Sequence, residues 1–224
     1  MQDANRPARY ALYYTPPPGS ALAMFGDRVV GGALPGLAEA EHSVFAKLTT
    51  APRIYGFHAT LRAPMRLRDD VAEAEIVKVC KALACHRDPL RIGRLDVVLL
   101  DGFAALVPSN PPAELNLLAA ECVAALDPLR APLNAMEWNK RRPEALDPRR
   151  RALLERWGYP YVFEAFRFHM TLTGLIPAES RETWRARLAE VYEPGADLVI
   201  DALTLLRQDE GAPFRILRRI PFTP

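Results

Sequence analysis

A chain of 224 residues, half of them apolar, can bury a substantial core as one large domain or two closely packed lobes, which excludes disorder along its whole length. Its 29 Lys and Arg against 27 Asp and Glu leave a net charge of +2, which argues against holding nucleic acid by bulk electrostatics while allowing a local basic patch. The stretch from Met1 to Arg9 lacks the apolar run of a secretory leader and no segment approaches a membrane span, so a soluble, cytoplasmic protein is expected.

The first expected strand runs from Arg9 to Thr15 and ends against Pro16, Pro17 and Pro18, which cannot continue a ladder. Ser20 is placed to cap a helix through Arg28. Gly31 to Pro52 is rich in Gly and Pro before a short helical segment around Leu37 to Leu48. A strand from Tyr55 to Leu67 follows, then a helix from Asp70 to Ala84 capped by Asp69 or Asp70. A strand from Leu90 to Leu100, a turn at Asp101 and Gly102, and a strand from Phe103 to Val107 complete this half. A helix from Pro112 to Leu126, a polar stretch from Asn139 to Arg151 and a helix from Pro148 to Trp157 occupy the middle.

The same order then returns: a strand from Phe166 to Leu175, a helix from Ser180 to Val191, and strands from Leu198 to Arg207 and Phe214 to Ile220 about a turn at 209–211. Two matching runs behind two matching motifs indicate an internal duplication, a single bilobal domain over residues 1–224.

Those motifs are His58, Ala59, Thr60, Leu61 and His169, Met170, Thr171, Leu172, which hold two of the four histidines. In a strand, residues two apart share a face, so His58 points with Thr60 and His169 with Thr171, while Ala59, Leu61, Met170 and Leu172 face a core. Two histidines on one cleft suit a phosphodiester reaction without metal, because one group must take a proton from the nucleophile while another gives one to the leaving oxygen. Threonine hydroxyls can donate to the non-bridging phosphate oxygens. The same parity places Arg62 and Arg167 on the histidine face as phosphate-binding forks, with two structural alternatives: pairing of Arg167 to Glu164 at the strand edge, and an Arg62 beyond the regular part of the strand because Pro64 follows closely. Lys140, Arg141, Arg142, Arg149, Arg150 and Arg151 read either as a solvated face or as an anion-gathering rim.

Other chemistries have less support. Cys80, Cys85 and Cys122 are odd in number and lack CxxC spacing, so they read as buried reduced thiols and imply no cofactor. His42 and His86 lack a metal-ligand pattern, and no metal is expected. Serine-hydrolase elbows and Walker or Rossmann loops are absent.

On these motifs, with the runs Arg9 to Tyr14, Tyr55 to Pro64, Tyr159 to Val162 and Phe166 to Gly174, the sequence resembles the 2H phosphoesterase superfamily, and within it the DUF1045 branch associated with phosphonate metabolism and carbon-phosphorus lyase genes. The resemblance implies a duplicated, LigT-like α+β fold, with antiparallel sheets flanking a central cleft and helices outside. It implies that His58, Thr60, His169 and Thr171 are catalytic, and that the substrate is a small phosphorylated sugar such as 5-phosphoribosyl 1,2-cyclic phosphate. An RNA 2′,3′-cyclic phosphodiesterase or 2′-5′ ligase and a non-catalytic phosphate-binding module are the rivals. A membrane partner is not expected, and the oligomeric state is left open.

Overall fold

The computed structural model describes residues 8–193, 195 and 197–224. The leader-free start expected of the first residues therefore lies largely in 1–7, outside the described residues. In chain order the elements are β1 (Arg9–Tyr14), α1 (Ala21–Val30), α2 (Glu39–Leu48), α3 (Thr50–Arg53), β2 (Ala59–Arg66), α4 (Glu73–Ala84), β3 (Leu90–Gly93), β4 (Leu95–Leu100) and β5 (Phe103–Pro108). Then come α5 (Ala113–Leu126), α6 (Ala135–Lys140), α7 (Pro148–Trp157), β6 (Met170–Leu175), α8 (Arg181–Val191), β7 (Leu198–Ile200), β8 (Ala202–Gln208) and β9 (Arg215–Pro221). The class is α+β, as expected.

Local chemistry sets several boundaries. The Ser20 hydroxyl accepts from the Ala23 N–H at 3.2 Å and starts α1. The Asp147 carboxylate accepts from the Arg150 N–H at 2.8 Å to start α7, which stops at Gly158 with φ +73°. Asp101 and Gly102 both take left-handed φ, +47° and +94°, and join β4 to β5 in a two-residue turn.

Two expectations are corrected. Helix α4 begins at Glu73 rather than Asp70, because Asp70 is engaged by the Arg68 guanidinium at 3.0 Å while Glu75 reaches back to the Ala72 N–H at 3.4 Å. The strands expected over Leu90–Leu100 and Leu198–Arg207 each break in two, the first at Gly93 with φ +86° and the second at Asp201. Their leading parts, β3 and β7, pair with each other in a small separate sheet.

The remaining seven strands form one antiparallel sheet in the order β4-β5-β6-β2-β1-β8-β9. The two motif strands, β2 and β6, lie side by side at its centre and meet at Ala59 opposite Met170. The hairpin that follows the first motif, β4–β5, pairs with the strand of the second motif. The hairpin that follows the second motif, β8–β9, flanks β1 beside the strand of the first. Each half thus completes the sheet of the other.

Helices α4 and α5 pack on the β2, β8 and β9 side, and α1, α2, α3 and α8 on the β4 to β6 side. One continuous core runs beneath both, including Leu12, Tyr14, Phe45, Leu106, Leu115 and Leu205. Ala59, Leu61, Met170 and Leu172 belong to it and are at most 2% exposed, as the motif parity requires. Among the described residues no helix is long and apolar enough to cross a membrane.

Candidate active site

Each motif histidine is the last residue before its strand, since β2 starts at Ala59 and β6 at Met170, later than the aromatic runs suggest. Both imidazoles are fixed in the same way. His58 Nδ1 lies 2.9 Å from the Gly56 carbonyl and His169 Nδ1 lies 2.8 Å from the Arg167 carbonyl. A carbonyl can only accept, so each ring carries its proton on Nδ1 and presents the bare Nε2. The Thr60 hydroxyl donates to His58 Nε2 at 3.2 Å.

His58, Thr60, His169 and Thr171 all line one cleft of about 450 Å³. Its walls include Tyr13, Tyr55, Phe103 and Tyr159, with the cations Arg9, Lys140 and Arg141. The Tyr13 ring stacks on the His58 imidazole with centroids 3.8 Å apart and planes 17° from parallel, and Phe103 leans on His169 at 5.7 Å. Burial pushes the His58 imidazole down to about 4, against the opposing hydrogen bond to Gly56 and with a smaller push from the charge of His169. Burial also lowers His169. At neutral pH burial therefore favours the neutral form of both rings, and a nearby anion would favour an imidazolium.

Arg62 is not in this cleft. Strand β2 carries register shifts against β1, pairing Leu12 with Arg62 but Tyr13 with Thr60, so one extra residue breaks the two-residue parity. The Arg62 side chain is 1% exposed, donates to the Trp157 carbonyl at 3.0 Å and sits 3.5 Å from Asp127. Arg62 is thus a structural cation, and its expected role in phosphate binding is corrected. Arg167 lines an adjoining cavity of about 460 Å³ with Arg150, Tyr161, Phe163 and Phe166, which shares Thr60, Phe103, Tyr159 and His169 with the main cleft. Its structural alternative does not form, because Glu164 pairs with Arg149.

The basic middle segment divides. Arg142, Arg149, Arg150 and Arg151 pair with Glu144, Glu164, Asp147 and Glu155. Lys140 and Arg141 instead line the cleft, Arg141 with its guanidinium 4.7 Å from the centre of the Tyr159 ring. Of the two readings of this segment, the solvated face therefore fits Arg142, Arg149 and Arg151, and only Lys140 and Arg141 are placed where a rim would need them, with Arg150 on the adjoining cavity.

Sequence reading missed Arg9, Tyr13, Tyr55 and Tyr159. Strand parity alone finds the first two, since Tyr10, Leu12 and Tyr14 enter the main core while Ala11 and Tyr13 pack with Leu206 on the opposite face. Tyr55 lies in a turn and Tyr159 in an irregular segment after α7, where no periodicity marks them.

His42 and His86 line neither cavity. Among the described residues no three His, Cys, Asp or Glu side chains gather so as to hold a metal ion. Cys80 and Cys122 are buried, but Cys85 is exposed, contrary to expectation, because it follows the last residue of α4.

Comparison with known proteins gives the family. The model described as "Protein of unknown function (DUF1045)" matches residues 60–215. Two curated proteins, both named ribose 1,5-bisphosphate phosphokinase PhnN, are similar to the chain. That of Janthinobacterium sp. (strain Marseille) is 38% identical over 233 residues, covering 96% of this chain and 51% of its own. That of Laribacter hongkongensis (strain HLHK9) is 34% identical over 222 residues, covering 95% and 51%. The chain spans about half the length of these relatives.

Among solved structures, TT0787 of Thermus thermophilus shares the fold, with a TM-score of 0.50, 14% identity and coverage of 96% and 97%. The structure of E. coli LigT complexed with 3′-AMP is similar at a TM-score of 0.49, 14% identity and coverage of 97% and 99%. A family model that runs from Thr60 in the first motif, through the whole second motif, to the start of β9 shows that this chain belongs to the DUF1045 family.

Proposed function

We propose that the protein is a metal-independent cyclic phosphodiesterase of the 2H phosphoesterase type, acting on a small sugar cyclic phosphate, with 5-phosphoribosyl 1,2-cyclic phosphate in phosphonate catabolism as the leading candidate. The observation that carries this reading is the meeting of two His and Thr pairs on one cleft, with both imidazoles pinned through Nδ1. The name of the similar curated proteins, ribose 1,5-bisphosphate phosphokinase, supports a phosphorylated ribose as the substrate class. The kinase activity in that name is not carried over to this chain, which covers about half of those proteins and has no Walker loop to cradle a nucleoside triphosphate.

In the proposed reaction a water in line with the phosphorus gives a proton to His58 Nε2 and forms the new P–O bond. The bond from phosphorus to one ring sugar oxygen breaks, and that oxygen takes a proton from the imidazolium of His169. Thr60 and Thr171 hold the non-bridging oxygens. His58 is the base in this scheme because it is held neutral more strongly than His169, by burial under the Tyr13 ring. Product release and exchange with solvent restore both rings.

The aromatic lining of the adjoining cavity, with Tyr161, Phe163 and Phe166, favours a second reading in which a ribonucleoside 2′,3′-cyclic phosphate stacks its base there. Phosphorus NMR with both substrates and EDTA separates the two. Loss of the sugar 1,2-cyclic signal, dependent on His58 and His169, supports the first reading, and the new resonances show which sugar oxygen has left. Turnover of the nucleotide alone moves the protein to RNA chemistry. Turnover of neither removes both.

A further inference from the structure

The charges facing the cleft exceed what a cyclic phosphodiester requires. Three cations line it, Arg9, Lys140 and Arg141, and none of them makes a carboxylate ion pair among the described residues. Arg9 makes its hydrogen bond and ring contact with neutral groups, its Nε donating to Gln208 Oε1 at 2.9 Å and its guanidinium 5.6 Å from the Phe214 ring centre, and its charge acts on Glu137 only at longer range, without an ion pair. Arg141 lies over Tyr159, also neutral. Glu137 is the one carboxylate on the cleft wall, and it is already bonded twice by Arg66 at 3.0 Å.

Elsewhere in segment 139–151 every cation has a carboxylate partner, so the two that lack one are the two that face the cleft. A diester in a five-membered ring carries a single negative charge, which the histidine and threonine groups meet through hydrogen bonds and one transferred proton. The positive charges of Arg9, Lys140 and Arg141 remain, and they match a phosphate monoester.

We propose that Lys140 and Arg141, with Arg9 across the cleft, form a subsite for a second, terminal phosphate of the substrate, and that this subsite selects phosphorylated sugars over their unphosphorylated analogues. It rests on the cyclic phosphodiesterase reading and deepens it. The scissile ring sits on the two histidines at the junction of the cavities, and the terminal phosphate reaches along the cleft toward the end of α6. Arg141 supplies a planar fork already ordered on Tyr159, and Lys140, at the exposed lip, supplies a mobile charge.

The test compares kcat/KM for 5-phosphoribosyl 1,2-cyclic phosphate and for ribose 1,2-cyclic phosphate in wild type and in K140A/R141A. Wild type is expected to prefer the phosphorylated sugar by about 10- to 100-fold per lost contact, with the double variant bringing the ratio toward one through KM. An unchanged ratio overturns the proposal. Calorimetric binding of ribose 5-phosphate provides a readout independent of turnover, in wild type, K140A/R141A and H58A/H169A. Binding lost in the first variant and kept in the second supports the subsite even if no cyclic substrate turns over, an outcome that would remove only the phosphodiesterase reading. Binding equal in all three proteins, or absent from wild type, overturns the subsite.

Discussion

Replacing His58 with Asn should flatten the dependence of stability on pH. The ordinary imidazole value is 6.5, whereas burial holds the folded-state ring at about 4. Between those values the unfolded chain binds a proton that the native protein excludes, so stability is intact above pH 6.5 and is lost as the pH falls toward 4. Between about pH 7.5 and about pH 5 this one group removes about 2 kcal/mol from wild type, as a ceiling because the edge of the ring facing the cleft keeps some contact with water. His58→Asn has no such titration and should lack that part of the loss. Urea denaturation of both proteins at the two pH values measures the difference, and the C2 proton of His58 in NMR reports its titration directly. Parallel pH dependences, or an imidazole that titrates at its ordinary value, would refute the burial argument and with it the choice of His58 as base.

Other outcomes follow from the same geometry. Substituting either His58 or His169 with Ala should lower kcat/KM by roughly 10² to 10⁴, but on an aryl diester with a p-nitrophenolate leaving group His169→Ala should recover most of its rate and His58→Ala none. Equal recovery would reverse or void the assignment of acid and base. Arg62→Ala should destabilise the fold by about 2 kcal/mol in denaturation, since it strips a buried partner from Asp127 and the Trp157 carbonyl. It should leave KM unchanged, and a raised KM would put Arg62 back at the phosphate. A Cβ at Gly26 would fall 1.8 Å from the Phe57 ring, next to His58, so Gly26→Ala should cost about 1–3 kcal/mol and reduce turnover. Unchanged melting and activity would show that the α1 contact with Phe57 is not rigid.

How much of this was legible depends on whether a signal is local. The two motifs converge because strand parity alone sends His58, Thr60, His169 and Thr171 one way and Ala59, Leu61, Met170 and Leu172 the other. Parity failed for Arg62 because the extra residue that shifts β2 against β1 is visible only in the pairing with Leu12 and Tyr13. The cap of α4 was misplaced for a different, local reason, since Asp70 pairs with Arg68 and the helix starts where Glu75 reaches back to the Ala72 N–H. The arginines of segment 139–151 are alike in sequence, and only the placement of Glu144, Asp147, Glu155 and Glu164 divides those with a partner from those that face the cleft. The duplicated order of elements was readable, while the exchange of hairpins between halves was not, since no single residue encodes which neighbour a hairpin joins.

That exchange governs when the protein can acquire its site. β1 and the first motif strand are complete by Arg66, yet the neighbour that covers the other edge of β1 is β8, which begins at Ala202. During synthesis β1 must therefore wait, with a bare edge, until β8 has left the ribosome, and that edge is open to pairing with other chains. Contacts this distant in sequence close slowly. A C-terminal truncation before β8 should thus give an aggregating chain rather than a half-active lobe, and the cleft is complete only after the last hairpin closes.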